Sequence, residues 1–132
     1  MTTPFDTQST QDAPLVTAPD GSTVRILTAT SSASSIHVRL QGVSITVQHK
    51  TVDEIWYVTA GMGEMWRLQN DREETVPLQP GVSVSIPVGT TFQFRSTGDT
   101  PLEAVCVTIP PWPGEDEAIV MLGAGPWEPS QR

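Results

Sequence analysis

An all-β sandwich or barrel is the fold class this sequence predicts, and three observations carry that prediction. Val, Ile and Thr dominate the ordered stretches, a composition that suits pleated strands better than helices. Ten glycines and twelve prolines in 132 residues force the chain to turn often. Between those turns, short segments alternate apolar and polar residues, and no helical period is sustained. At 14.3 kDa the chain makes one domain with room for a real core.

In chain order, residues 1–14 are rich in Thr, Gln, Asp and Pro, and are expected to form a mobile arm, with Phe5 able to dock on a neighbouring subunit. The barrel is expected over residues 15–112. Leu15–Thr17 and Ser22–Thr28 flank Asp20-Gly21, a strong hairpin signal. A polar connection, Thr28–Ser35, leads to the alternating segment Ile36–Leu40, and Val43–His49 alternates again. Glu54–Thr59 follows, then the turn Gly61-Met62-Gly63 and a strand over Glu64–Leu68. Gln69–Glu74 reads as a charged hairpin tip. Val76–Leu78, Val82–Ile86, Phe92–Arg95 and Leu102–Ile109 complete the strands, separated by Pro80-Gly81, Pro87-Val88-Gly89 and Gly98-Asp99. That makes nine to eleven short strands. Prolines 110, 111 and 113 stop the last one, and residues 113–132 are expected to pack back over the barrel, with a weak helical signal over Asp116–Val120.

The formal net charge is −8 and the pI about 4.5, a surface that repels phosphate backbones and anionic lipid. No apolar run reaches the roughly 18 residues that span a bilayer, and the first residues lack the basic start and apolar core of a secretory signal. A cytoplasmic protein without nucleic-acid or membrane partners is expected. Cys106, the single cysteine, rules out an internal disulfide and has no basic neighbour in sequence to activate it.

Two punctuated stretches dominate the centre. In the first, His49 stands before Lys50-Thr51-Val52-Asp53, and then come Glu54, six residues and Gly61. In the second, Gly81 is followed by five residues, Pro87-Val88-Gly89, two residues and Phe92. This spacing resembles the two motifs of the cupin superfamily over roughly Ile36–Pro110. The tracts HKTVDEIWYV, GEMWR, IPVGTTFQFR and PPWPG are similar to those of small bacterial single-domain cupins. The resemblance implies a jelly-roll barrel, or double-stranded β-helix. It also implies a metal site of three histidines and a glutamate suited to Fe, Mn, Ni, Cu or Zn. Of that set the chain carries His49 and Glu54. Val47 and Phe92 hold the other two positions with apolar bulk, and the upstream motif glycine is approximated by Gly42, one residue displaced. Two ligands seldom hold a divalent ion.

His49 and Glu54 also allow a metal-free reading, in which a partly buried imidazole and carboxyl act as base and acid. A hydrogen-bonded structural pair is the competing alternative. Alternation puts Trp56 and Val58 on Glu54's face and pairs Phe92 with Phe94, so Val47, Trp56, Val58, Phe92 and Phe94 are expected to wall a small-molecule pocket. The rings could equally fill the barrel. Asp53 points away from Glu54, and the face of His37 stays open. Ile55, Tyr57, Gln93 and Arg95 are expected to face outward as a homodimer contact. Trp66, Trp112 and Trp127 are expected to pack the wall and the tail. The expected function is isomerase-, cyclase- or decarboxylase-type chemistry on a small organic metabolite around His49 and Glu54. The alternatives are a non-catalytic binding or regulatory barrel and a metal-dependent dioxygenase with a non-standard ligand set.

Overall fold

The structure, a computed structural model, describes residues 3–130. Eleven strands are present among them: β1 (Leu15–Thr17), β2 (Thr23–Ala29), β3 (Ser34–Leu40), β4 (Val47–His49), β5 (Asp53–Ala60), β6 (Gly63–Gln69), β7 (Arg72–Leu78), β8 (Ser83–Ile86), β9 (Thr91–Ser96), β10 (Leu102–Ile109) and β11 (Ala118–Val120). They form a six-stranded sheet in the order β1-β2-β3-β10-β5-β8 and a five-stranded sheet in the order β11-β4-β9-β6-β7. Every neighbouring pair is antiparallel.

Alternation sets which side chains enter the space between the sheets. On β5, Glu54, Trp56 and Val58 are buried while Asp53, Ile55, Tyr57 and Thr59 are exposed. Trp56 lies opposite Cys106 on β10 and Val84 on β8. The five-stranded sheet answers with Val47, Met65, Leu78, Phe92 and Phe94, and the Trp56 and Phe94 rings meet edge to face with centroids 4.8 Å apart. One apolar core results, as expected when two inner faces interdigitate.

The turns explain the glycines. Gly61 has φ +80°, and a Cβ there would run into the carbonyl oxygen of Pro101, so a side chain is excluded on both counts. Gly89, with φ +83°, turns its amide onto the His49 carbonyl at 3.1 Å, while its own carbonyl accepts from Gln48 Nε2 at 2.6 Å. The first hairpin forms around Asp20, whose Oδ1 accepts from the Ser22 amide and hydroxyl at 2.9 and 2.6 Å.

Four expectations change. Only Val47–His49 of the segment from Val43 is a strand, and Val43 makes an isolated bridge to Arg95. The charged tip narrows to Asn70-Asp71, because Arg72, Glu73 and Glu74 pair with Gln69, Leu68 and Arg67 on β6. Helix over Asp116–Val120 is replaced by a 3-10 turn, Glu115–Glu117, and then β11, since Ala118–Val120 finds open hydrogen-bonding groups on β4. The end of the N-terminal arm is also structured. Thr10–Asp12 form a 3-10 turn, Ala13 is buried, and Arg25 Nη1 donates to the Ala13 carbonyl at 3.0 Å; Phe5 is fully exposed. No helix among the described residues is long and apolar enough to cross a membrane.

Candidate functional site

His49 ends β4 and Glu54 lies one residue into β5, so the two sheets each contribute one group to the interior. The link between them, Lys50–Val52, is held by the C-terminal segment. The Glu117 carboxylate accepts from Thr51 N and Oγ1, each at 2.6 Å, and from Val52 N at 2.9 Å; the Glu117 carbonyl accepts from Lys50 N. Burial pushes the Glu117 carboxyl up, yet the bonds from Thr51 and Val52 and the neighbouring His49 leave it below the ordinary glutamate range. Nothing in the tract PGEDEA marks Glu117 out from Glu115 and Asp116, so sequence reasoning missed it.

His49 is buried, with Phe92 and Trp112 edge-on to its ring at centroid distances of 5.2 and 5.1 Å. Its Nδ1 is buried without a hydrogen-bond partner among the described residues. Burial pulls the imidazole down to about 4, against a weaker upward pull from Glu117, so it is neutral at physiological pH. Glu54 behaves oppositely. Burial pushes its carboxyl up to about 7, the Trp56 hydrogen bond opposes that rise, and the Asp20 charge adds to it. Trp56 Nε1 donates to Glu54 Oε1 at 2.6 Å, a contact that the shared face made reachable but that sequence reasoning had not named. Asp20 is itself raised by burial, against the Ser22 hydrogen bonds, and Cys106 is a buried thiol pushed well up by burial and by the Glu54 and Asp20 charges.

Val47, Trp56, Val58, Phe92 and Phe94, the expected pocket wall, are 0–2% exposed and pack against one another in the core. Ile55 and Tyr57 do face outward and are about half exposed. Gln93 does not stay open on the outer face. Its Nε2 donates to the carbonyls of Ser44 and Trp127 and its Oε1 accepts from Trp127 N, so the tail covers it completely. Arg95 is half-buried, pairing with Glu64 at 2.6 Å and stacking 4.2 Å over the Trp127 ring. His37 lies on the outer face, 3.1 Å from Glu103. Asp53 also faces out and accepts from Val88 N.

The four metal positions implied by the motif resemblance are now placed. His49 and Glu54 hold two of them. Val47 and Phe92 pair across β4 and β9, each 1% exposed, and supply no donor atom. Among the described residues no cluster of three or more His, Cys, Asp or Glu side chains is arranged to hold a metal ion. The residues present do not fit a cupin metal, so no chemical step is routed through one.

The sequence profile of the cupin domain matches residues 36–108, more than half of the chain, and this protein belongs to the cupin family. A curated relative, the uncharacterized protein MJ1618 of Methanocaldococcus jannaschii, is 33% identical over 73 residues; the match spans 55% of each chain, so only about half of that relative's length is covered. Among solved structures, the nucleoside dehydratase Pac13 of Streptomyces superposes with a TM-score of 0.71 at 15% identity, covering 90% of this chain and 92% of that one. KdgF from Halomonas sp. gives 0.67 at 18% identity, over 81% and 94%. The Lactobacillus farciminis oxalate decarboxylase gives 0.73 at 17% identity, over 90% of this chain and 37% of that one. These likenesses establish the jelly-roll fold.

Proposed function

We propose that this cupin acts on a small organic metabolite by metal-free proton transfer, with His49 as base and Glu54 as acid, in chemistry of the isomerase, cyclase or decarboxylase type. One observation carries the proposal: a buried imidazole with an unpartnered Nδ1 shares the barrel interior with a buried carboxyl that keeps its proton to about pH 7. In such a site Nδ1 of neutral His49 takes a proton from substrate carbon, and the Glu54 carboxyl gives one to the oxygen where negative charge develops. One proton enters the protein and one leaves it. Trp56 holds Oε1, which leaves Oε2 to carry the acidic proton. Between about pH 4 and pH 7 both groups are in the required state. Dehydration and decarboxylation are the reactions named for Pac13 and for the oxalate decarboxylase, two proteins of this fold.

A non-catalytic barrel is the second reading, and the 0–2% exposure of the five expected pocket residues favours it. Deuterium uptake from D2O into a panel of small hydroxy acids, keto acids and nucleosides separates the two. Catalysis by the pair predicts wash-in that His49→Ala and Glu54→Gln each reduce by 100-fold or more, on the order of the usual share of general acid–base catalysis, while circular dichroism stays native. Turnover that survives both substitutions would remove the pair from the mechanism.

A further inference from the structure

Beyond His49 and Glu54, the same end of the barrel holds a second set of polar groups. Across the five-stranded sheet, Val47, Phe92, Arg67 and Glu74 occupy one continuous row of paired residues. Phe92 therefore has the His49 strand on one side and Arg67 on the other. Beside it a cavity of about 140 Å³ opens, lined by Arg67, Gln69, Arg72, Glu74 and Thr90 among others. Arg67 Nη1 donates to the Ser85 carbonyl at 2.8 Å and its Nη2 lies 3.5 Å from Glu74; Arg72 Nη2 lies 3.2 Å from the other Glu74 oxygen. A guanidinium offers five N–H donors in a planar fork, so these contacts position both forks and leave donors over.

The charge balance at this place runs against the rest of the chain. Two guanidinium groups face one carboxylate, a local excess of one positive charge in a protein of net charge −8. Glu73 does not cancel it, because alternation turns Glu73 to the opposite face, where it accepts from Trp66 Nε1 at 2.7 Å. Thr90 is the most buried residue at this place. It lines the cavity, it is 2% exposed, and its Oγ1 is buried with no hydrogen-bond partner among the described residues. Buried hydroxyls are normally satisfied.

We infer that this cavity is a binding site for the oxyanion group of a small metabolite, a carboxylate or a phosphomonoester, held by Arg67 and Arg72. Bidentate guanidinium contacts suit both oxyanions, and the small volume admits the acid group rather than a whole cofactor. As a substrate anchor it rests on the acid–base proposal above; as a binding site it stands without it. Thr90 follows Gly89, whose amide and carbonyl engage His49 and Gln48, so the loop that borders the cavity also borders the histidine.

Calorimetric titration of the full chain with succinate and with inorganic phosphate, at constant ionic strength set with chloride, tests the site. At least one of the two should saturate at one equivalent, and the stronger of them identifies the class of acid group. Arg72→Gln, whose side chain is largely exposed and leaves the fold intact, should weaken that binding at least fivefold, and Arg67→Gln more. Double substitution at His49 and Glu54 should leave the affinity unchanged, which separates failure of this site from failure of the acid–base pair. Absence of saturation with either anion, or equal affinity in Arg72→Gln, would overturn the assignment.

Discussion

Removing the charge-capable groups one at a time from the barrel interior should expose two opposite pH dependences that cancel in the native protein. His49 has its pKa lowered from 6.5 to about 4 by burial. Between those values the unfolded chain binds a proton that the folded chain refuses, so stability rises with pH at about 1.4 kcal/mol per unit. Glu54 has its pKa raised from 4.5 to about 7. There the folded chain holds a proton that the unfolded chain has lost, and stability falls with pH at the same rate of about 1.4 kcal/mol per unit. From pH 4.5 to 6.5 the two slopes oppose one another. The pair together then depresses stability by a nearly constant amount, about 3 kcal/mol.

Urea unfolding of the native chain, Glu54→Gln and His49→Ala at half-unit steps from pH 4 to 8, at fixed ionic strength, reads each contribution as a difference. Gln keeps an oxygen for Trp56 Nε1 and removes only the titration. Native stability minus that of Glu54→Gln should fall by about 3 kcal/mol between pH 4.5 and 7. Native minus His49→Ala should rise by about 3 kcal/mol between pH 4 and 6.5. The cavity left by Ala shifts that second curve without tilting it, and groups with no coupling to Glu54 or His49 drop out of both, whereas Asp20 and Glu117 contribute through their coupling to the pair. A difference curve that stays flat through its window would refute the burial argument for that residue, and with it the protonation states assigned to the proposed acid and base.

Two further substitutions probe how the C-terminal segment holds the site. Glu117→Ala leaves the amides of Thr51 and Val52 without their acceptor, and should lower stability by about 2–4 kcal/mol, as expected for losing hydrogen bonds to a charged group in a buried place; an unfolding midpoint within error of the native value would contradict it. Gln93→Ala removes the two hydrogen bonds that fasten the tail at Trp127 and a third to Ser44, so amide exchange over residues 122–130 should accelerate at least tenfold while β5 and β10 stay protected.

The frame was legible because its determinants are local. Alternation placed Trp56, Val58, Phe92 and Phe94 inward, and the glycine and proline spacing located turns that require positive φ, as at Gly61 and Gly89. The Asp20-Gly21 hairpin follows from turn chemistry alone. What was not legible depends on distant segments. Gln93 alternates outward like any solvent-facing residue, and only the approach of Trp127, 34 positions later, buries it. Residues 118–120 carry a weak helical signal, and β4's open edge makes them a strand. His49 and Glu54 were identified by motif spacing, but their protonation comes from burial, with Phe92 and Trp112 packed against the imidazole, which no local pattern states. The Arg67–Arg72 cavity needed a register: the charged tip became strand, and pairing then brought Arg67 and Glu74 together.

The energetics of the interior bear on why the pair is present at all. A jelly-roll whose interior is only a packed core gains most from apolar side chains, and this barrel already uses them at two of the four positions where the motif resemblance implies metal ligands, Val47 and Phe92. At the other two it keeps groups that burial penalises by about 3 kcal/mol in total between pH 4.5 and 6.5, a substantial share of the roughly 5–15 kcal/mol by which a domain of this kind is stable. Among the described residues neither group recovers that penalty through an ion pair. Glu54 has one neutral donor, Trp56, and His49 leaves Nδ1 empty-handed against two aromatic rings. An apolar residue of similar volume at 49, with a glutamine at 54 that keeps the acceptor for Trp56 Nε1 without the titration, would therefore raise stability between pH 4.5 and 6.5. A double substitution such as His49→Phe with Glu54→Gln that folds more stably than the native chain and loses turnover would place the pair's value in chemistry, because structure alone would favour its removal.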